Sequence, residues 1–295
     1  MDRTDTDQRL IDPLARWFDS HARDLPWRKP GTSAWAVLVS EVMLQQTPVS
    51  RVLPAYEAWL GRWPSPGDLA ADSPGDAVRM WGKLGYPGRA LRLHRCALTL
   101  VELHDGEVPD QLDDLLALPG VGDYTARAVL AFAFVRRAPV IDTNVRRVLA
   151  RAVSGRGLAG PPSGVRDLAA MEALLPAEDS AAAQFCAAVM ELGALVCTAT
   201  SPSCGSCPIS TSCAWRLAGS PAYDGPVPRP QRFAGTDRQV RGLLMDVLRA
   251  SEGPVSQGDL TIEWPDVPQR QRAQDALVAD GLVTALGDGC FALPS

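Results

Sequence analysis

Four of the chain's seven cysteines fall within residues 197–213, CTATSPSCGSCPISTSC. Four thiols in so short a segment force the backbone into a closed loop around whatever they hold. The spacing is C-x6-C-x2-C-x5-C, with no histidine inside. Structural zinc usually takes two C-x2-C pairs set apart by a longer segment, and here only Cys204 and Cys207 make such a pair. A cubane cluster needs one thiolate at each of its irons and suits the compact loop better, with Cys197, Cys204, Cys207 and Cys213 as ligands. Zinc and disulfides stay open on spacing alone. The remaining cysteines, Cys96, Cys186 and Cys290, sit in apolar surroundings and read as core residues.

The compartment sharpens that choice. No run of about eighteen apolar residues is present, and MDRTDTDQRL lacks the basic and apolar regions of a signal peptide. The expectation is a soluble, cytoplasmic protein, whose clustered thiols are metal ligands rather than a disulfide framework. The chain has 295 residues, 46% of them hydrophobic, enough for one large core or two modest ones with an appendage. Its net charge of -5 argues against indiscriminate coating of nucleic acid. Locally, however, RRAPVIDTNVRRVLARAVSGR, residues 136–156, carries six arginines against one acid, Asp142. Lysine is confined to Lys29 and Lys83.

Helical spacing with good caps runs through the first 220 residues, and alternating strand patterns are almost absent before residue 280. SPGDAVRMWGKL, a proline-started PGRALRLHRCALTLVEL with Leu91, His94, Cys96, Leu98 and Val101 along a face and its edges, and AAAQFCAAVMELGALVC all read as helices. Residues 217–235 are rich in Pro and Gly and read as a linker. Beyond them come a helix with a Val240, Leu243, Leu244, Val247 and Leu248 stripe, a second helix, and a hairpin turning at Asp288-Gly289. That order suggests a small winged-helix domain. From residue 222 onward there are ten acids against seven arginines, so a packing or partner-binding module fits better than a strong DNA reader.

Two further features carry chemistry. In LDDLLALPGVGDYTARAVLAFAF one helix ends at LPGVG and another begins at Asp123, and Gly120 and Gly122 allow a sharp turn that points amides outward. Such amides, here around Gly120, Val121 and Gly122, bind phosphate without reading sequence. The basic segment that follows strengthens a DNA-backbone reading. In AWAVLVSEVMLQQTPV, Glu41 shares a stripe with Val37, Leu38 and Leu44, so its carboxyl is expected to be desolvated and able to keep a proton for acid catalysis. Asp142 heads DTNVRRV as a helix N-cap would. An ionised carboxylate beside a protonatable one stabilises an oxocarbenium-like sugar while a leaving group is protonated.

The hairpin LPGVGDYTA, the acidic IDTNVRRV and the cysteine loop, in this order, resemble the helix-hairpin-helix DNA glycosylases. Within that group LPWR (25–28), SEVMLQQT (40–47) and MELGALVC (190–197) resemble the MutY-type adenine DNA glycosylases, over roughly residues 8–215. The resemblance implies removal of adenine mispaired with 8-oxoguanine or guanine in double-stranded DNA. It implies that Glu41 protonates the departing adenine and Asp142 stabilises or captures the sugar cation, with Tyr124 and Asn144 in support. Leu25, Trp27, Arg28 and Glu191 would line the adenine pocket, Gln46 would enter the duplex, and Thr47 would lie near the opposing strand. Cys197, Cys204, Cys207 and Cys213 would hold a [4Fe-4S] cluster.

Endonuclease III shares the hairpin and cluster but uses a hairpin lysine to form a Schiff base. Tyr124 stands at that position here, which implies a monofunctional enzyme. The alternatives are an endonuclease III-like lyase on oxidised pyrimidines and a non-catalytic iron-sulfur regulator. The chain departs from the family pattern in reading WGKLGYP, where Lys83 and Pro87 replace a glycine and the wedge tyrosine, so that the wedge falls to Tyr86. The residues after 213 are too few for the family's usual MutT-like domain. The expected architecture is all-α and two-lobed with an added C-terminal winged-helix-like α+β domain. Its parts are a cluster lobe (1–27 and 137–216), a hairpin lobe (28–136), the linker (217–235) and the C-terminal domain (236–295). The protein is expected to act as a monomer associated with the nucleoid, with no membrane contact.

Overall fold

Short polar residues open many of the helices. Ser65 forms a reciprocal capping box with Asp68, Ser73 accepts from the Asp76 N–H, Asp142 from Val145 and Asp266 from Gln269. Each such cap satisfies an otherwise orphaned amide and is worth about 1 kcal/mol. The structure, a computed structural model, describes residues 3–223, 225, 233–261 and 264–295, with backbone alone for 3–7.

In chain order the helices are α1 (Arg3–His21), α2 (Ala34–Leu44), α3 (Val49–Arg62), α4 (Pro66–Ala71), α5 (Pro74–Trp81), α6 (Gly88–Leu103) and α7 (Leu112–Ala117). There follow α8 (Asp123–Phe132), α9 (Thr143–Ala152), α10 (Gly164–Glu172), α11 (Asp179–Leu195) and α12 (Ala214–Leu217). The C-terminal region consists of α13 (Asp237–Ala250), β1 (Val255–Ser256), α14 (Val267–Ala279), β2 (Thr284–Ala285) and β3 (Cys290–Ala292). Its three strands are antiparallel in the order β1-β3-β2, with Val255 opposite Phe291 and Thr284 opposite Ala292. The β2–β3 turn closes where Leu286 N–H donates to Cys290 O at 2.7 Å. The expected linker lies partly outside the described residues, at 224 and 226–232.

The chain divides into two compact units. The first comprises residues 1–37, 110–116 and 122–228. Helix α11 is its centre, and α1, α8 and α9 pack on it. An alanine-rich surface makes that possible, because Ala182, Ala188 and Gly193 keep the helix thin where neighbours approach.

The second unit comprises residues 38–109, 117–121 and 229–295. Helices α4 and α5 pack on α6, and Trp59 meets Trp63 and Trp81 edge-on at 4.7 and 5.7 Å between ring centres. All three indoles are buried, and this aromatic cluster supplies a large share of the unit's apolar burial. Helix α6 buries Ala90, Leu93, Ala97 and Leu100 at helical spacing, with His94 and Cys96 beside them. Leu98 and Val101, expected on that face, are exposed instead. Cys290, expected in a core, is half-buried at the start of β3, the middle strand of the small sheet.

Candidate active site and cysteine loop

Glu41 lies in a helix that is buried on every side rather than along a single stripe. Residues 35–43 of α2 are all buried, and Glu41 itself is 4% exposed. The helix ends in a strained turn, where Gln46 takes φ +55 and is exposed. Arg89 holds this turn. Its guanidinium donates to the carbonyls of Val42 (2.8 Å), Gln45 (2.7 Å) and Gly85 (3.0 Å) and to Thr47 Oγ1 (3.1 Å). Burial pushes Arg89 down to about 10, still charged at neutral pH. Thr47 is buried and also donates to Leu84 O at 3.3 Å. Tyr86, exposed and at φ +47, belongs to the same arginine-bound turn, with its ring centre 5.7 Å from the guanidinium.

In the hairpin, Gly120 has φ +81, a left-handed conformation, and a Cβ there would lie 2.7 Å from Arg92 Cβ. Gly122 has φ -98, so the turn itself demands only the first glycine. Gly122 is the N-cap of α8 and brings no side chain to that end of the helix, and Val121 is buried. Tyr124 is half-buried in the first turn of that helix.

Asp142 is the N-cap of α9, accepting from the Val145 N–H at 2.7 Å, and its other oxygen accepts from Asn144 Nδ2 at 2.7 Å. Burial pushes this carboxyl up from its ordinary 3.8, although those two donors and the Arg147 cation pull it back. Arg147 donates to Asn144 Oδ1 (2.7 Å), Gly193 O (2.6 Å) and Cys197 O (2.7 Å). One side chain thus joins the Asp142–Asn144 pair to the start of the cysteine loop.

Glu191 is fully buried on α11. It accepts from the Arg23 N–H (2.9 Å), Arg23 Nε (2.7 Å), Arg23 Nη2 (2.8 Å) and Arg28 Nη2 (3.0 Å). Burial alone would raise its pKa, but the hydrogen bonds from Arg23 and then Arg28 hold it down at about 2. Leu25 and Trp27 are buried beside Arg28 in the chain, and Arg28 Nη1 is buried with no hydrogen-bond partner among the described residues. Arg23 was absent from the residues singled out by sequence. Its only signal there is an arginine five positions before Arg28.

All four loop cysteines line one cavity of about 360 Å3, open mouth included, together with Val148, Arg151, Leu192 and Trp215. Among the described residues, no three Cys, His, Asp or Glu side chains are grouped as a single metal ion requires. Four thiols around one cavity match the donor set of a four-iron cluster, which takes one thiolate per iron. Arg151, 4% exposed, donates to Cys197 Sγ (3.4 Å), Thr198 O (2.7 Å) and Ala199 O (3.0 Å) and lies over the Trp215 ring.

Most arginines of the basic segment have polar partners within the first unit. Arg136 pairs with Asp110, Arg137 with Glu172, and Arg146 with Asp167, while Arg147 and Arg151 bind loop carbonyls.

Residues 39–161 match the HhH-GPD superfamily of base excision DNA repair proteins. The chain is 56% identical over 282 residues to the adenine DNA glycosylase of Mycobacterium tuberculosis, covering 95% of this chain and 92% of that protein. It is 57% identical to the adenine DNA glycosylase of Mycolicibacterium smegmatis, covering 95% and 94%. The chain belongs to the adenine DNA glycosylase family. Among solved structures, a thermostable thymine-DNA glycosylase is similar with a TM-score of 0.67 at 24% identity, over 74% of this chain and 100% of that one, which bears on the fold alone. Because the mycobacterial matches span 95% of the chain, they take in most of the C-terminal α13–β3 module. Among the described residues no helix is long and apolar enough to cross a membrane.

Proposed function

We propose that this chain releases adenine mispaired with 8-oxoguanine or guanine in duplex DNA by hydrolysing its N-glycosidic bond, and that it leaves the strand uncut. The chain is an adenine DNA glycosylase of base excision repair, a hydrolase. The observation that carries this is the 57% identity to a protein of that name along nearly the whole chain. The mispaired partners are those the family resemblance implies, and the residue roles draw on the geometry of the individual groups.

A base must leave the stack before its glycosidic bond can be reached, so the scaffold has to grip the duplex and hold a dry pocket. The hairpin, with its left-handed Gly120 leading into the N-terminus of α8, suits the sugar–phosphate backbone, and the strained Gln46 turn suits entry into the duplex. Arg28, steadied by Glu191, has one buried donor left for the base. A desolvated carboxyl keeps its proton more readily than a solvated one, which suits the 4%-exposed Glu41 to act as the acid. Glu41 gives its proton to the departing adenine, and the bonding pair of the C1′–N9 bond leaves with the base. The Asp142 carboxylate stabilises the sugar cation until water adds at C1′ and loses a proton. Asn144 and Tyr124 support that carboxylate and its surroundings. Neither lysine lies in the hairpin, which leaves no amine there for a Schiff base.

Cys197, Cys204, Cys207 and Cys213 would hold a [4Fe-4S] cluster, which supplies metal–thiolate cross-links to the loop. Cys204→Ser should lose iron and DNA affinity together. The protein acts as a monomer in the cytoplasm, at the nucleoid.

The test is base release from duplexes bearing adenine opposite 8-oxoguanine, guanine, cytosine and thymine. Release should occur opposite the first two, and Glu41→Gln should slow it by about 100-fold or more. Adenine left in place in all four duplexes refutes the function; full activity in Glu41→Gln refutes the role of Glu41. A lysine-dependent adduct trapped by borohydride would favour the lyase reading instead.

A further inference from the structure

From residue 222 onward the chain has ten acids and seven arginines, which by count makes the C-terminal module a poor partner for DNA. Local pairing changes that picture. Asp237 accepts from Gln269 Nε2 at 2.8 Å, Asp246 pairs with Lys83 and Arg249 at 3.4 and 3.5 Å, Asp266 caps α14, and Asp280 accepts from Arg241. These carboxylates are occupied within the second unit.

Arg238 is placed differently. Among the described residues its guanidinium has no carboxylate partner. It lies 5.4 Å from the ring centre of Phe233, and its Nη1 donates to Tyr86 Oη at 3.3 Å. Phe233 and Tyr86 are 54% and 50% exposed. Two exposed aromatic rings, far apart in the chain, thus flank one uncompensated cation. The arrangement does not depend on that contact alone. Arg79 donates to the C-terminal carbonyls of α13, Arg249 O (2.5 Å) and Ser251 O (2.7 Å), and Arg249 returns a bond to Val78 O. Gly75 on α5 faces the chain terminus so closely that a Cβ there would sit 3.1 Å from Leu293 Cβ. Tyr86, strained at φ +47, is therefore held by Arg89 from the core and by Arg238 from the C-terminal module.

We propose that Phe233, Arg238 and Tyr86 form a platform that binds a DNA strand, and that the C-terminal module is in this way part of the DNA-binding surface. An enzyme that extrudes a base leaves neighbouring bases partly unstacked, with bare aromatic faces. Exposed rings interleaved with arginine are suited to such a strand, because rings stack on any base and the guanidinium meets both π-faces and phosphate. An acidic peptide would need the cation but not two exposed rings, and a purely apolar partner would have to desolvate the guanidinium.

This inference rests on the glycosylase reading, and the test separates the two. Binding of the full-length protein to a fluorescein-labelled duplex bearing adenine opposite 8-oxoguanine is measured over a range of salt concentrations, beside adenine release from the same duplex by the wild type. Arg238→Glu should weaken binding by about ten-fold and lower the slope of log affinity against log salt by about one. Arg238→Lys should keep the salt slope and lose part of the affinity, a split that simple unfolding would not produce. Phe233→Ala should weaken binding with the slope intact, and remains informative if the charge reversal fails to fold. Wild-type affinity and slope in both Arg238→Glu and Phe233→Ala overturn the proposal, and point to a protein partner for the patch. Failure of the wild type to release adenine would instead refute the glycosylase reading.

Discussion

The side-chain amide of Asn144 donates to Asp142 Oδ2 at 2.7 Å and is itself held by Arg147 Nη2 at 2.7 Å. The carboxylate is thereby fixed by a donor that a third residue orients. Helix α11 makes room for this, since a Cβ at Gly193 would lie 2.6 Å from Asn144 Cβ. Asn144→Ala should leave Asp142 capping α9 through Oδ1 but free to swing at Oδ2. Positional errors of this size cost on the order of 100-fold in rate, so adenine release should fall by about that factor. DNA affinity should stay near wild type in the same preparations. A parallel loss of affinity would mean that Asn144 acts by supporting the fold.

Asp142 should cost stability in return for function. Burial raises its folded pKa above the ordinary 3.8 of an unfolded chain. A raised carboxyl favours folding below the unfolded value and loses that advantage as pH rises through the folded value, so the ionised form opposes folding at neutral pH. Asp142→Asn keeps an oxygen for the Val145 N–H and removes the charge. The variant should be inactive yet melt higher than wild type at pH about 7, with the difference closing at low pH. Thermal melts at several pH values read this directly, and a lower melting temperature at neutral pH would contradict it.

The pair around Glu191 has the opposite sign. Its carboxyl is held at about 2, against an ordinary 4.5, by Arg23 and Arg28. A depressed carboxyl contributes its stability above the unfolded pKa and loses it as pH falls towards the folded one. The difference corresponds to about 3 kcal/mol at neutral pH. Between about pH 4.5 and 2 the wild type should lose stability by this amount, and Glu191→Gln should show a correspondingly flatter dependence while being less stable at neutral pH. Equal acid sensitivity in both proteins would place the acid-labile contact elsewhere.

How far the sequence revealed these contacts depended on distance along the chain. Caps are local, so Asp142 before TNVRR and Ser65 before PGD were readable from adjacent residues. The cysteine loop was readable because four cysteines crowd into residues 197–213. Arginine was not. Arg23 meets Glu191 and Arg147 meets Cys197 across 168 and 50 residues, and counting charge in a window cannot find partners so remote. Density in residues 136–156 therefore showed a basic segment but not that most of its guanidinium groups bind carbonyls and carboxylates within the fold. Helix α2 misled for a related reason. A helix buried all round has no polar face, so periodicity places Glu41 on a stripe that does not exist.

The hairpin shows how one glycine can be separated from the other. Gly120 alone has a left-handed φ, +81, and its missing Cβ also leaves room for Arg92, whereas Gly122 at φ -98 has an ordinary backbone with no atom near its absent side chain. Gly120→Ala would combine backbone strain of about 1–2 kcal/mol with a clash that moves the turn. Amides that meet phosphate carry no sequence information, so the loss should be indifferent to the mismatch. Affinity for matched and mismatched duplexes should fall by a similar factor of about ten, and Gly122→Ala should have a smaller effect. If Gly120→Ala weakened only the mismatched complex, the hairpin would be reading the lesion rather than the backbone.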